Sequence, residues 1–266
     1  MPQLTQTSYS PFEVIVVDNN SHDGSVQYLR DNFKQVKIIS LSENRGYAHG
    51  INVGAREAAG GILAFLNNDI EVTPQRLTEA VIKLGSGDDI GAVQCKSMFY
   101  DTKDIIDCVG LSIDRFNVAH IIGRNERDNG QYNNLPEIGA FSGGAMLIRK
   151  ELFNHLGGFD ETYFMYFEDV DLSWRLRLSG YKIVPVPNSL VYHVGSASSG
   201  IVTPAKVWDP SPFFAFEMTK NYLYCWFKNS KPKTVICYFP VICCVIISMC
   251  FLAIVRRKPK IFAGHI

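Results

Sequence analysis

Residues 62–69 read ILAFLNND, a short apolar run that stops on three polar side chains. An apolar run of this length, bounded by turn-forming residues, is typical of a buried parallel strand. In open α/β sheets, ligands bind outside the carboxyl ends of such strands. Asp69 is therefore a candidate ligand for a metal ion or a polar substrate. The alternative interpretation is an ordinary Asx turn that leaves the strand.

The segments on both sides of this run alternate between strand and helix patterns. Such alternation implies right-handed βαβ units, so the sequence predicts an α/β fold with a Rossmann-like, mostly parallel sheet flanked by helices. Only residues 96–136 show no clear period and read as short, hairpin-like pieces. The predicted strands cover about 12–17, 36–41, 62–66, 90–95, 138–148, 181–186 and 190–194, and the predicted helices about 25–33, 47–59, 74–84, 151–156 and 168–179.

The composition limits the classes of function that need to be considered. The chain has 266 residues, which suits one large domain or one domain with an appendage. Its 26 basic and 26 acidic side chains balance, so no nucleic-acid partner is expected and function must come from a localised site. The seven cysteines form no C-x-x-C pair, which argues against a zinc site or a disulfide framework and favours a reducing compartment.

The C-terminal region, about residues 206–266, contains an uncharged apolar run at 234–255. The run is long enough to cross a hydrocarbon core of about 30 Å, although Pro240 interrupts it. Basic residues on both sides leave its orientation undecided, and an interfacial or re-entrant hairpin broken at Pro240 is the alternative. The polar N-terminus shows no signal-peptide pattern. We therefore expect a membrane-seeking helical segment on a protein that otherwise faces the cytoplasm.

Acidic residues at the edges of predicted elements are the candidates for chemistry. Asp69, with Asn67 and Asn68, could hold Mg²⁺ or Mn²⁺, because these hard cations take oxygen ligands and combine one or two carboxylates with substrate phosphates. Asp18 ends another predicted strand. His193 lies on a short strand, where a histidine is more often structural than a ligand.

The cluster that opens the helix at about 168–179 has two interpretations. Carboxylates in a first helical turn are favoured by the helix dipole, and Asp171 can pair with Arg175 four residues later. Adjacent acids, however, cannot both face the same way on a helix. One of Glu168 and Asp169 can therefore be structural while the other points into a cleft as a general base.

Four motifs follow one another along the chain with ordinary spacing. They read DNNSHDGS at 18–25, NRGYAHGINVG at 44–54, FLNND at 65–69 and FEDVDLSWR at 167–175. Together they resemble the successive motifs of glycosyltransferase family 2, especially its rhamnosyltransferase-like branch. The resemblance implies a GT-A fold over about residues 1–205, with a nucleotide-binding half at about 12–95 and an acceptor half at about 96–205.

The resemblance also implies roles for individual residues on the donor side. Asp18 matches the acid that contacts the nucleotide base. Gly143 and Gly144 would let the backbone approach the donor sugar or the acceptor. The other positions implied to line the nucleotide, its phosphates or the sugar are Asn44, Arg45, Asn52, Asn67, Asn68, Trp174 and Arg175.

On the reacting side, Asp69 matches the last acid of the D-x-D motif that binds the metal ion and diphosphate. Asn67 stands where the first acid of that motif would be, which implies weaker metal binding. His193 matches a histidine that can join the metal shell. Asp169 matches the general base of the E-D motif, next to Glu168. The implied cofactor is a divalent cation, Mg²⁺ or Mn²⁺.

These features predict an inverting glycosyltransferase on the cytoplasmic face of the cell membrane. It would move a sugar from a nucleoside diphosphate donor, dTDP-rhamnose or a UDP-sugar, to a cell-surface or lipid-linked glycan. One rival is a truncated, non-catalytic remnant that binds a nucleotide or a membrane. Another is a nucleotidyltransferase, which would need a Gly- and Lys-rich loop that is not visible here.

The N-terminal part departs from the family pattern. Family members usually carry another strand and helix before the strand that matches residues 12–17, and only residues 1–11 precede it here. The absent strand would lie in the middle of the sheet and hold part of the nucleotide base. We therefore expect unpaired backbone edges on its two neighbours, unless another segment fills the gap.

Overall fold

The computed structural model describes residues 7–114, 118–194 and 212–255. Strands and helices alternate through the first 194 residues, and two helices follow. In chain order the elements are β1 (Ile15–Asp18), α1 (Ser25–Asn32), β2 (Lys37–Ser40), α2 (Tyr47–Glu57), β3 (Ile62–Leu66), β4 (Ile70–Val72), α3 (Arg76–Leu84), β5 (Ile90–Phe99), β6 (Ile106–Cys108), β7 (Leu111–Ile113), β8 (Ala119–Ile121), β9 (Ala145–Arg149), α4 (Lys150–His155), α5 (Glu168–Leu178), β10 (Lys182–His193), α6 (Pro212–Asn229) and α7 (Pro232–Val255).

The main sheet is mixed, so the expectation of a mostly parallel sheet is wrong. Its six strands are ordered β3-β9-β5-β10-β4, with β6 also paired to β5. Only β5 and β10 pair in parallel; the pairs β3·β9, β9·β5, β10·β4 and β5·β6 are antiparallel. β9 therefore runs antiparallel to both of its neighbours, β3 and β5, in a sheet that the sequence predicts to be mostly parallel.

The way the chain reaches β9 explains this difference. β3, β5 and β10 do run in one direction, as the helical connections between predicted strands require. β9 instead follows a long excursion through residues 100–144, which contains β6, β7 and β8 and no helix among its described residues. The crossover rule applies to helical connections between parallel strands, so it does not govern β9, which enters between β3 and β5 in the opposite direction.

β1 and β2 form a separate, two-stranded parallel sheet. Their register runs from Ile15 opposite Lys37 to Asp18 opposite Ser40. Within the described ranges, β1 pairs only with β2 and β3 pairs only with β9. Each of these two strands therefore presents one edge without a hydrogen-bonded neighbour strand there.

Several predicted elements are confirmed, and others have different bounds. β3 spans the predicted Ile62–Leu66, and α1, α2 and α5 begin where the sequence predicts. The helix predicted from residue 74 begins at Arg76 because the chain first forms the edge strand β4. The two strands predicted at 181–186 and 190–194 form one strand, β10, whose pairing with β5 is irregular between Val186 and Leu190.

Apolar side chains pack on both faces of the main sheet. Neighbouring residues of β9, such as Leu147 and Ile148, belong to different core clusters because side chains alternate across a strand. One cluster packs α2, α4 and α5 against the sheet, and the other packs α3 against it. The first includes Phe65, Phe141, Phe153, Phe159, Leu172 and Ile183, and the second includes Val72, Leu84, Val93, Leu147 and Val184.

The C-terminal part corrects one expectation and leaves another untested. The described residues within 113–118 and 195–266 form a unit distinct from the rest of the chain, and α7 continues through Pro240 instead of breaking into a hairpin. Across the part of the chain that the structure describes, no helix has the length and apolarity to cross a membrane. The predicted domain boundary at 205 and the basic residues after 255 lie outside the described residues.

Candidate active site

His193 lies between two carboxylates at the carboxyl end of the parallel pair β5 and β10. Its Nε2 is 3.1 Å from Asp69 Oδ2, and its Nδ1 is 2.9 Å from Asp107 Oδ2. Asp69 follows β3, and its backbone carbonyl accepts a hydrogen bond from Val194, the residue after β10. The structure thus brings together Asp69 and His193, which the sequence proposes as a pair, and adds Asp107.

Asp107 is the residue that the sequence interpretation missed. It lies on β6, in the region where no period is visible, and its side chain is buried. The pairing of β6 with β5 places Asp107 beside Ser97, whose Oγ donates to Asp107 Oδ2 at 3.1 Å. An isolated acid between two apolar residues was the only sequence signal, and it is too weak to assign a partner.

The electrostatics of the cluster favour opposite charges on its members. Hydrogen bonds to Asp107 and Asp69 raise the pKa of His193 to about 9, and desolvation opposes this shift. The hydrogen bond from His193 lowers the pKa of Asp69, while partial burial acts in the opposite direction. Without a cation, the ring is therefore held as an imidazolium between carboxylates at neutral pH.

Two unsatisfied oxygen atoms make this cluster suitable for a hard cation. Asp69 Oδ1 and Asn67 Oδ1 are both buried and accept no hydrogen bond. Carboxylate and amide oxygens of this kind are ligands for Mg²⁺ and Mn²⁺. Within residues 7–114, 118–194 and 212–255, no group of three or more His, Cys, Asp or Glu could hold a metal ion by itself. The residues present therefore fit a cation whose remaining ligands come from a substrate.

Asp169 lies in the first turn of α5 and is held by two backbone amides. Gly143 donates to Oδ2 at 2.9 Å and Val170 donates to Oδ1 at 2.8 Å. Desolvation nevertheless raises the pKa of Asp169. Burial, and then the charge of Asp169, raise the pKa of Glu168 well above its usual range. The pKa of Glu168 is therefore raised further than that of Asp169.

The segment 142–145 joins the two groups of acids. Gly143 binds Asp169, and a side chain at Gly144 would come within 3.2 Å of Asn67 Nδ2. The hydroxyl of Tyr47 donates to the carbonyl of Gly143 at 2.9 Å. Desolvation and the charges of Glu168, Asp169 and Asp69 hold the pKa of Tyr47 well above its usual range, so this hydroxyl remains a donor.

A buried glutamine, Gln94, also binds the segment 142–145. Gln94 Oε1 accepts from the amide of Ser142 at 2.6 Å, and Gln94 Nε2 donates to the carbonyls of Cys95 and Ala145 at 3.0 Å. Gln94 lies on β5 and is almost completely buried. The segment that carries Gly143 and Gly144 is therefore anchored to the central strands of the sheet.

The predicted nucleotide segment at 44–54 forms a tight turn before α2. Asn44 Oδ1 accepts from the amide of Gly46 at 2.9 Å, and Asn19 Nδ2 donates to the carbonyl of Gly46 at 3.2 Å. Arg45 is exposed and lies 3.9 Å from Glu161. Asn52 is buried, and its amide exchanges hydrogen bonds with the backbone of Phe159 at 2.8 and 2.9 Å. Arg45 is thus available to a ligand, whereas Asn52 holds α2 in place.

Some of the remaining predicted positions are exposed or partly buried, and others bind the backbone of the fold. Asp18 ends β1, and both its carboxylate oxygens accept from the amide of Ser21 at 3.2 Å. Asn68 is exposed and Trp174 is partly buried. Arg175 binds Asp171 at 2.8 Å and also donates to the carbonyls of Leu156 and Gly158, so it ties α5 to the turn after α4.

Comparison with known proteins identifies the family. The sequence model described as Glycosyl transferase family 2 matches residues 3–157, more than half of the chain. The chain belongs to glycosyltransferase family 2. A second model, described as the N-terminal domain of galactosyltransferase, matches residues 131–195. The two matched ranges together cover residues 3–195.

Two of the curated relatives are named as an O-antigen biosynthesis protein and as a rhamnosyltransferase. The O-antigen biosynthesis protein RfbC of Myxococcus xanthus is 27% identical over 212 residues, covering 73% of this chain and 16% of the relative. The N-acetylglucosaminyl-diphospho-decaprenol L-rhamnosyltransferase of Mycobacterium tuberculosis is 26% identical over 250 residues, covering 84% of this chain and 78% of the relative. This glycosyltransferase thus spans less than a quarter of RfbC and most of the rhamnosyltransferase.

Solved structures establish the GT-A fold of this family 2 glycosyltransferase. GalNAc-T7 with UDP, GalNAc and Mn²⁺ superposes with a TM-score of 0.58 at 20% identity, covering 80% of this chain and 41% of that chain. The mannosyltransferase PcManGT of Pyrobaculum calidifontis with GDP-Man and Mn²⁺ gives a TM-score of 0.57 at 18% identity. The match covers 88% of this chain and 61% of that chain. Both neighbours were solved with Mn²⁺.

Proposed function

We propose that this family 2 glycosyltransferase transfers a sugar, with inversion, from a nucleoside diphosphate donor to a glycan acceptor. The observation that carries the proposal is the position of the 142–145 segment. Gly143 binds Asp169 at 2.9 Å, and Gly144 adjoins Asn67, which stands two residues before Asp69. The candidate base therefore adjoins one end of this short segment, and the candidate diphosphate site adjoins the other.

In this proposal each group has a separate task. Asp169 accepts the proton of the attacking acceptor hydroxyl, for which an ionised carboxylate in a partly desolvated position is suited. Asp69, Asn67 and His193 would hold the divalent cation, and the cation would neutralise charge on the departing diphosphate. Gly143 and Gly144 leave room for the donor sugar because no side chain projects from them. Asp18, Asn44 and the exposed Arg45 are proposed to line the nucleotide.

The four other predicted donor-side positions are proposed to contribute in two ways, by direct contact with the donor or by indirect support. The exposed Asn68 and the partly buried Trp174 are proposed to contact the donor. The buried partners of Asn52 and Arg175 support an indirect contribution instead, in which these two side chains hold α2 and α5 in position. Glu168 is proposed to stay protonated beside the base, which leaves the negative charge on Asp169.

The acceptor and the place of action are inferred from the relatives. The mycobacterial relative is named for a diphospho-decaprenol acceptor, and RfbC is named for O-antigen biosynthesis. We propose a lipid-linked or cell-surface glycan as the acceptor and dTDP-rhamnose or a UDP-sugar as the donor. Transfer to a lipid-linked acceptor would take place at the cytoplasmic face of the cell membrane, where nucleotide sugars are made.

Donor binding and turnover test the proposal separately. Calorimetric titration of the protein with dTDP-rhamnose and UDP-sugars in the presence of Mn²⁺ should show binding to one of them. Release of the nucleoside diphosphate should then depend on a diphospho-lipid acceptor. Replacement of Asp169 by Asn should lower turnover by about 10² to 10⁴-fold, because the proton acceptor is lost, while donor affinity is retained.

A matched control variant tests whether the loss of turnover is specific to Asp169. Asp104 is an exposed acid that pairs with Arg127 at 2.6 Å, so Asp104→Asn removes a carboxylate outside the site and should leave turnover unchanged. Donor binding without turnover by the wild-type protein, across these donors and lipid acceptors, would favour the non-catalytic alternative. Turnover that survives Asp169→Asn would reject the role of this residue and leave the family assignment intact.

A further inference from the structure

We propose that Asp107 is a positioning residue that fixes the ring of His193, so that Nε2 faces the cation held at Asp69. The inference rests on the proposed function, because it assigns a partner to a proposed cation ligand. Nothing in the sequence motifs includes Asp107. Its role follows from the arrangement of three strands around one imidazole ring.

The hydrogen-bond pattern decides which ring nitrogen is available. Asp107 Oδ2 lies 2.9 Å from His193 Nδ1 and 3.1 Å from Ser97 Oγ. A carboxylate can only accept, so Ser97 and Nδ1 must both donate to it. By the same rule Nε2 donates to Asp69 Oδ2 when no cation is bound, so a cation at Asp69 takes the place of the Nε2 proton. The proton that Asp107 keeps on Nδ1 then leaves Nε2 as the ring nitrogen that can offer a lone pair to that cation. Nε2 is the atom that faces Asp69, at 3.1 Å.

The backbone makes this orientation rigid. Ser97 lies opposite Cys108 in the pairing of β5 with β6, next to Asp107, and His193 lies opposite Phe99 in the pairing of β5 with β10. The two hydrogen-bond partners of Asp107 therefore lie on adjacent strands, Ser97 on β5 and His193 on β10. Fixed strands leave the imidazole little freedom to rotate, so its direction is set before a substrate binds.

Arg124 supports Asp107 from the other side. Its guanidinium lies 3.8 Å from Asp107 Oδ1 and 5.8 Å from the centre of the Phe99 ring. Oδ2 is already occupied by two donors, and Asp107 is only 8% exposed. These contacts turn the carboxylate away from direct coordination, so Asp107 acts through His193. Carboxylates that bind the second nitrogen of a ligating histidine are a common arrangement at protein metal sites.

The test measures cation binding apart from turnover. Free Mn²⁺ is titrated with the full-length protein in the presence of UDP and followed by electron paramagnetic resonance. Asp107→Ala should weaken Mn²⁺ binding by about 10 to 100-fold, as expected when the partner of a ligating histidine is lost. Asp107→Asn should recover part of that affinity, because its amide oxygen still accepts from Nδ1.

Asp128→Ala is the matched control. Asp128 belongs to the same irregular region and pairs with the buried Lys96 at 2.7 Å, so its loss removes a comparable ion pair away from His193. This variant should bind Mn²⁺ as the wild type does. A folded Asp107→Ala or Asp107→Asn protein with wild-type Mn²⁺ affinity would overturn the inference alone. Failure of the wild-type protein to bind Mn²⁺ with UDP would overturn the proposed cation site as well.

Discussion

Asp169 has two amide donors at hydrogen-bonding distance, yet desolvation still leaves its pKa above the ordinary value of 3.8. Burial therefore makes this carboxylate a stronger base than an exposed aspartate. The pKa of the neighbouring Glu168 is raised further, because burial and the charge of Asp169 both act on it. Of the two adjacent acids, Asp169 is therefore the one proposed to act as the base.

The pH dependence of transfer should show this shift. The base form of Asp169 is present above its raised pKa and is lost as the pH falls through it. The acidic limb of kcat/KM is therefore expected at a higher pH than the ordinary aspartate value of 3.8. A pH–rate profile with saturating Mn²⁺ measures it, and calorimetry of donor binding at each pH separates loss of the base from loss of the donor. A profile that stays flat down to that value would contradict the prediction.

At the scale of single elements, the turn before α2 depends on Gly46. Its φ is +89°, and a Cβ there would lie 2.2 Å from the carbonyl oxygen of Phe164. The same carbonyl accepts from the amide of Tyr47 at 2.7 Å. Tyr47 in turn holds the carbonyl of Gly143. The turn therefore connects the predicted nucleotide segment to the loop beside Asp169.

Gly46→Ala should lower the free energy of unfolding by at least about 2 kcal/mol, because both the left-handed backbone and the close carbonyl exclude a side chain. Urea denaturation measures the loss. Gly61→Ala is the control, since a Cβ at Gly61 meets no heavy atom within 4 Å. Equal stabilities for the two variants would show that the backbone near Phe164 moves aside without cost.

The connection between β3 and α3 contains an element that the local sequence does not predict. The sequence places a helix from residue 74, and the helix does occur, although it begins at Arg76. Ile70–Val72 forms an edge strand because β10 offers it an antiparallel partner. No local period distinguishes such a short strand from a turn. The pairing partner lies more than a hundred residues later in the chain.

For the whole molecule, three phenylalanines link the sheet to the elements that carry the site. The ring centres of Phe65 and Phe153 lie 5.2 Å apart, and each lies 5.6 Å from that of Phe159. Phe65 belongs to β3, Phe153 to α4, and Phe159 to the turn held by Asn52. This cluster therefore joins the strand before Asp69 to the helices on one face of the sheet.

Phe153→Ala should destabilise the protein by about 3 to 5 kcal/mol, since it removes a buried aromatic ring and leaves a cavity. Thermal or urea unfolding followed by circular dichroism gives the value. Ile82→Ala provides the comparison because Ile82 is 64% exposed on α3 and loses little packing. A similar stability for both variants would mean that the aromatic cluster does not support the core.

Local pattern was sufficient for the positions of the main strands and helices. The apolar run at 62–66 forms β3, in which Leu63 and Phe65 are buried and Ala64 is exposed, and Asp69 follows it. α5 likewise begins at Glu168, at the predicted position. The motifs then allowed the family to be named from residues alone. These features depend on neighbours in sequence, which is why the sequence reveals them.

Sequence patterns thus establish the main elements, their order and the acids at their ends. The folded chain was needed to show that β9 runs antiparallel to its neighbours, that Asn52 and Arg175 bind backbone carbonyls, and that Asp107 binds a histidine 86 residues away. Strand pairing and buried hydrogen bonds join residues distant in sequence, and no local periodicity encodes those partners.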